Sequence, residues 1–167
     1  EFIMTLQKHM SAVRPDISGW LDKGKIWKNK YPSCIPEYFN QKKSVNPYAF
    51  FKILSDELTN KDIITLDIGA VMAWAMQTIE VKDGQRFFSQ FGHASMGYGI
   101  PSAIGAAFAT GKERIICIIG DGGAQMNIQE LQTIIHYNLP IKIFILNNNS
   151  YGMVRQFQDK YFEGRHV

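Results

Sequence analysis

Residues 114–119 are almost wholly apolar and β-branched, and they run straight into Gly120-Asp121-Gly122-Gly123. Such a run predicts a central parallel strand covered on both faces. Parallel neighbours need long crossovers, usually helices, so this one strand commits its surroundings to alternation. The alternation is present from Asp62 onward. Residues 63–68 predict a short apolar strand ending at Gly69, 71–79 a helix, and 86–91 a second strand. Residues 96–109 predict a helix rich in Ala and Gly, suited to close packing on a sheet. A helix over 127–138, a second buried strand over 141–146 and a helical turn from Tyr151 complete the series. The expected fold class is α/β, a doubly wound parallel sheet. In the 127–138 helix, Asn127 and Glu130 have the spacing of a capping box, and Ile128, Leu131, Ile134 and Ile135 form the expected buried stripe.

The first part of the chain reads differently. Phe2, Leu6, His9/Met10 and Val13 keep a helical period until Pro15-Asp16 breaks it. Residues 17–30 predict a weaker helix carrying Trp20 and Trp27. The stretch 31–44 is polar, holds Pro32 and Pro36, and reads as a linker. Asn46 at the cap and Pro47 in the first turn then open a helix with Phe50, Phe51, Leu54 and Leu58 on one face. Two parts are expected: 1–45, the end of a preceding domain with its helical linker, and 46–167, the α/β domain.

Bulk properties exclude several functions. The net charge is only +3, and the seven lysines from Lys8 to Lys43 are dispersed among apolar residues, so no basic stripe for nucleic acid exists. Cys34 and Cys117 lack metal-ligand spacing, and Cys117, inside the apolar run, is expected to be a buried small hydrophobe. No apolar stretch is long enough to span a membrane and no signal peptide is evident. A cytoplasmic location is the default expectation; an organellar protein cleaved of its transit peptide reads the same way.

Chemistry concentrates at two distant points. Twenty-four residues separate Gly122 from Asn147. The segment between them reads as turn, helix, turn and strand, which delivers a carboxylate and a carboxamide to the ends of neighbouring strands. Mg²⁺ takes a few oxygens from protein and the rest from phosphate and water, and Asp121 and Asn148 supply such oxygens. Gly122 and Gly123 leave backbone N–H groups open to a phosphate.

Gly120-Asp121-Gly122 followed by Asn147-Asn148 resembles the diphosphate-binding motif of thiamine diphosphate (ThDP) enzymes. Ala94-Ser95-Met96-Gly97-Tyr98-Gly99-Ile100-Pro101 resembles the segment of acetolactate synthases that holds the aminopyrimidine. Tyr151-Gly152-Met153-Val154-Arg155-Gln156-Phe157-Gln158-Asp159 is very similar to a run in the bacterial large subunits. The resemblance covers residues 46–167. It implies cation ligation by the Asp121 carboxylate, the Asn148 amide oxygen and the Ser150 main-chain carbonyl. It implies Gly120, Gly122 and Gly123 around the diphosphate, with Tyr151, Gly152 and Met153 beside the cofactor. Met96 would be the wedge that bends the two rings, and the Ala94 carbonyl would accept from the 4′-amino group. His93 is the nearest acid–base candidate. The implied cofactors are ThDP and Mg²⁺, with FAD a possibility for the parent protein.

Three departures from the family pattern bear on substrate. Ala70-Val71 stand where acetolactate synthases carry Gln-His, Phe157 stands for a tryptophan, and Ala94 for a glycine. The implied reaction is decarboxylation of a 2-oxo acid such as pyruvate and ligation of the two-carbon unit to a second carbonyl. A related carboligase or decarboxylase, including those of sugar biosynthesis, stays open. The resemblance also implies a fragment, truncated at its C-terminus, of a longer homo-oligomeric chain. A pyrimidine-binding domain of the parent or of a second subunit would complete the site, and little turnover is expected from the fragment. Outside the family, a dinucleotide-binding module would need glycine at 102 or a small residue at 125, where Ser102 and Gln125 stand. A scaffold without cofactor would have no need of Asp121 and Asn148.

Overall fold

The computed structural model describes residues 1–10, 15–111 and 113–166. Two compact units, Glu1–Pro32 and Ser33–Val167, divide the chain. The first holds α1 (Phe2–His9) and α2 (Ser18–Lys30), neither of which buries a residue. Val13, expected to continue the first helix, lies outside the described residues.

The second unit opens with a 3-10 helix, Pro36–Asn40, inside the stretch expected to be linker, and Tyr38 stacks on Tyr48 with ring centroids 5.8 Å apart. Then follow α3 (Pro47–Glu57), β1 (Ile63–Leu66), α4 (Ala70–Thr78), β2 (Arg86–Ser89), α5 (Gly99–Ala109), β3 (Ile115–Gly120), α6 (Asp121–Met126), α7 (Glu130–His136), β4 (Ile141–Leu146) and α8 (Gly152–Tyr161). Asn46 caps α3 as expected, its side chain accepting from the Tyr48 N–H. All strand pairs are parallel and the order is β2-β1-β3-β4. This is the doubly wound α/β sheet that the alternation predicts.

The pleat divides the core in two. Ile64, Leu66, Ile116 and Ile118 face Phe51, Leu54, Val71 and Ala75 of α3 and α4. Ile63, Ile115, Cys117 and Ile119 face Ile100, Ala103 and Ala107 of α5 and Ala124 of α6. Strand β3 is therefore buried on both sides. Burial pushes the Cys117 thiol up to about 12, so it is an inert core group.

Five local expectations fail for physical reasons. Helix α5 starts at Gly99 rather than residue 96, because Gly97 has φ +84° and cannot continue a right-handed helix. The 127–138 helix is split: α6 starts at Asp121, α7 starts only at Glu130, and Asn127 is the C-cap of α6. No capping box forms, since the Asn127 amide donates to the Gly97 carbonyl instead. Of the expected stripe, Ile134 packs on the core, while Ile128, Leu131 and Ile135 are exposed. Strand β4 is an edge strand, half-buried at most, with Ile145 exposed.

At the opposite end of the sheet from the strand C-termini, Arg114 places two guanidinium nitrogens 2.6 Å from the Asp62 carboxylate. Asp62 is buried and also accepts from the Thr59 N–H and hydroxyl. Burial pushes its carboxyl up, but the Thr59 N–H, the Arg114 guanidinium and the Thr59 hydroxyl outweigh that and hold it below the ordinary value. A depressed folded pKa contributes stability that is present above the unfolded value, about 3.9, and lost as pH falls through the folded value. Asp62→Asn should therefore cost about 1–3 kcal/mol at neutral pH, and the gap to the unaltered chain should close below about pH 4. Urea unfolding at both pH values checks this; a gap that persists in acid contradicts it.

Candidate functional site

The chain runs from β1 outward to β2 through α4, then back across β1 to β3 through α5. The direction of winding reverses between β1 and β3. A crevice opens at such a switch point, outside the strand C-termini. A cavity of about 700 Å³ lies there. The segments after β1, β3 and β4 contribute Asp67 to Val71, Gly120 to Gly123, and Asn147, Asn148 and Ser150 to Val154.

Asp121 is the first residue of α6 and Gly120 its cap. Asp121 Oδ1 lies 3.5 Å from the Asn148 backbone nitrogen, so the carboxylate and the asparagine pair are neighbours. The loop holding them is folded on its own side chains. Asn147 Oδ1 accepts from the Asn149 N–H at 2.9 Å, and Asn148 Oδ1 accepts from the Ser150 N–H at 3.1 Å. An amide oxygen has a second lone pair, so Asn148 keeps acceptor capacity. Among the described residues no group of three His, Cys, Asp or Glu side chains could hold a metal. A cation here would rest on one carboxylate, amide and carbonyl oxygens, and oxygens of its ligand, a donor set that suits Mg²⁺.

Met96 and Tyr151 both approach Gly122. A Cβ placed on Gly122 would lie 3.6 Å from Met96 Cε and 2.5 Å from the Tyr151 ring. Apolar side chains also line the cavity: Ala70, Val71 and Trp74 of α4 with Phe50 and Phe144. Lys43 is the one cationic side chain among the described residues lining the cavity.

Sequence reasoning missed Asp67. It is buried directly after β1, and its carboxylate accepts from the Gly97 N–H at 3.1 Å and the Gly99 N–H at 3.3 Å. It thus caps α5 from another element, where Tyr98 makes no side-chain cap. Burial pushes its carboxyl above the ordinary range, against the pull of these donors. The available signal was a lone carboxylate at the end of an apolar strand, two residues before Gly69.

The cavity gathers Met96, Gly120, Asp121, Gly122, Gly123, Asn148, Ser150, Tyr151, Gly152 and Met153. It does not gather His93 or Ala94, which stand exposed on the turn before Met96. Ala94 has φ 50°, a left-handed conformation that costs an L-residue about 1–2 kcal/mol. Ala94→Gly should relieve this, less about 0.5–1 kcal/mol of unfolded-state entropy, and so raise the melting temperature slightly. A lower melting temperature in a thermal scan would contradict the strain.

Fold, switch-point cavity and the Asp121–Asn148 approach together define an α/β cofactor-binding domain. The family described as thiamine pyrophosphate enzyme, C-terminal TPP binding domain, matches residues 67–167, and the chain belongs to it. Among similar proteins, the acetolactate synthase large subunit of Cyanidium caldarium is 42% identical over 148 residues, 89% of this chain and 24% of that protein. That of Porphyra purpurea is 36% identical over 96% of this chain and 26% of its own length. That of Lactococcus lactis subsp. lactis is 34% identical over 93% and 27%. The chain thus spans about a quarter of the length of these relatives.

Proposed function

We propose that this chain is the diphosphate- and Mg²⁺-binding part of an acetolactate synthase-like enzyme. The whole enzyme would decarboxylate a 2-oxo acid such as pyruvate and join the two-carbon unit to a second carbonyl. The observation that carries the reading is the 3.5 Å approach of Asp121 to Asn148 beside two glycines at the switch point.

The residues present suit the cofactor. Asp121, the Asn148 amide oxygen and the Ser150 carbonyl would take the cation. Gly122 and Gly123 would donate N–H groups to the diphosphate, aided by the first turn of α6. Met96, beside Gly122, would wedge between the rings. When bound, ThDP supplies the electron sink for breaking the bond next to a 2-oxo group, while the protein binds, orients and shields it. Met153 and Tyr151, which also line the cavity, would lie beside the cofactor. His93 and Ala94 lie outside the cavity lining and take no part in this reading. A second subunit or a further domain of the parent would cover the exposed turn before Met96.

Calorimetric titration with ThDP and Mg²⁺, set against NAD, tests the reading. Saturable ThDP binding that needs Mg²⁺ is expected. Tight NAD binding, or ThDP binding indifferent to Mg²⁺, would overturn it.

A further inference from the structure

Gly97 is gripped from both sides. Its N–H donates to Asp67 Oδ2 at 3.1 Å, and its carbonyl accepts from Asn127 Nδ2 at 2.9 Å. The grips come from different elements: Asp67 follows β1, and Asn127 ends α6. The same Asp67 carboxylate holds the next-but-one amide, Gly99, at 3.3 Å. The fit leaves no slack, since a Cβ on Gly97 would fall 2.7 Å from Asn127 Nδ2 and 2.7 Å from Met126 Cβ.

What these contacts hold is the stem of an exposed turn. Residues 91–96 are exposed throughout, so packing does little to fix them. Gly97, at φ +84°, brings the wide conformational range of glycine to the foot of that turn. Yet Met96, the neighbouring residue, reaches into the cavity beside Gly122 and Tyr151. A flexible thioether on a flexible stem makes a poor wedge. Fastening both polar groups of the next residue removes that freedom.

We infer that Asp67 and Asn127 are positioning residues that clamp Gly97 from two elements and thereby fix Met96 as a rigid wedge in the cavity. The inference rests on the proposed reading that the ring end of ThDP lies against Met96. Neither residue need touch the reacting atoms; each acts through the Gly97 peptide groups. Sequence spacing hides the arrangement, because the partners of Gly97 lie 30 residues away on either side.

Two shape-preserving variants test it in the full 167-residue chain. Asn127→Asp removes the donor to the Gly97 carbonyl, and Asp67→Asn removes one acceptor. Without ligand, Gly97 amide exchange should accelerate about tenfold or more, and the methyl resonance of isotopically labelled Met96 should collapse toward a rotamer average. With ligand, ThDP·Mg²⁺ affinity should fall about tenfold, as for other supporting residues, while Mg²⁺·pyrophosphate affinity stays within about twofold. General damage to the fold would weaken both ligands alike, and that outcome overturns the inference. So does an unchanged Met96 signal in folded Asn127→Asp. Should Asp67→Asn fail to fold, Asn127→Asp carries the test alone. If the unaltered chain binds neither ligand, the proposed function fails, and the Gly97 and Met96 signals still decide the clamp.

Discussion

Gly123→Ala is expected to destabilise the domain by about 3 kcal/mol or more, a large share of an ordinary domain's stability. A Cβ on Gly123 would stand 1.9 Å from Asp67 Oδ2 and 3.1 Å from Ile119 Cγ1. The carboxylate has nowhere to go. It is buried, and retreat would strand the Gly97 and Gly99 N–H groups it accepts from. Ile119 is fully buried in the central strand. Gly105→Ala is the matched control: it sits in α5 with nothing within 4 Å of an added Cβ. That change should stabilise by about 0.5–1 kcal/mol through helix propensity. Urea unfolding of the pair reads the contrast. Equal stability of Gly123→Ala and the unaltered chain would contradict the packing described at the head of α6.

Asp121→Ala should show the opposite profile, with ligand binding lost and the fold kept. Asp121 is half-buried at the first turn of α6, where its charge is worth about 0.3–1 kcal/mol against the helix dipole. Its removal takes away the carboxylate that approaches Asn148. ThDP affinity in Mg²⁺ should fall roughly a hundredfold, about 3 kcal/mol, and the dependence on Mg²⁺ should vanish with it. Calorimetry and a thermal scan on the same sample separate the two effects. A loss below about threefold would sink the proposed cation site, since a lone carboxylate ligand cannot be dispensable.

What could be read from the sequence was whatever a short window determines. The apolar run over β3 announced a strand covered on both faces, and Cys117 fell inside it as a core group. Asn46-Pro47 gave the start of α3, because cap and first-turn preferences are local. The glycine–aspartate motif and the asparagine pair were legible as chemistry, and the crossover between them brought them together. The failures share one cause: the deciding partner was far away. Asn127 has a capping residue's spacing from Glu130, but the Gly97 carbonyl outcompetes the helix for its amide. Gly97 takes a positive φ that a composition rich in Ala and Gly conceals. Ile128, Leu131 and Ile135 fit a helical stripe, yet only Ile134 finds the core, because the split between α6 and α7 resets the phase. Asp67 looked like a strand end and proved to be the group on which Gly97, Gly99 and Gly123 converge. In β4 the charged Lys142 inside the apolar run was the one local hint of an edge strand.

The proposed function has one cation shared by Asp121, Asn148 and a diphosphate. Mn²⁺ in place of Mg²⁺ allows electron–nuclear double resonance on the chain carrying ¹³C-labelled aspartate, with ThDP added. The account predicts ³¹P coupling from the diphosphate and ¹³C coupling from a carboxylate on the same ion, the latter absent in Asp121→Ala. A fully hydrated ion, or phosphorus coupling with no carboxylate coupling, would contradict it.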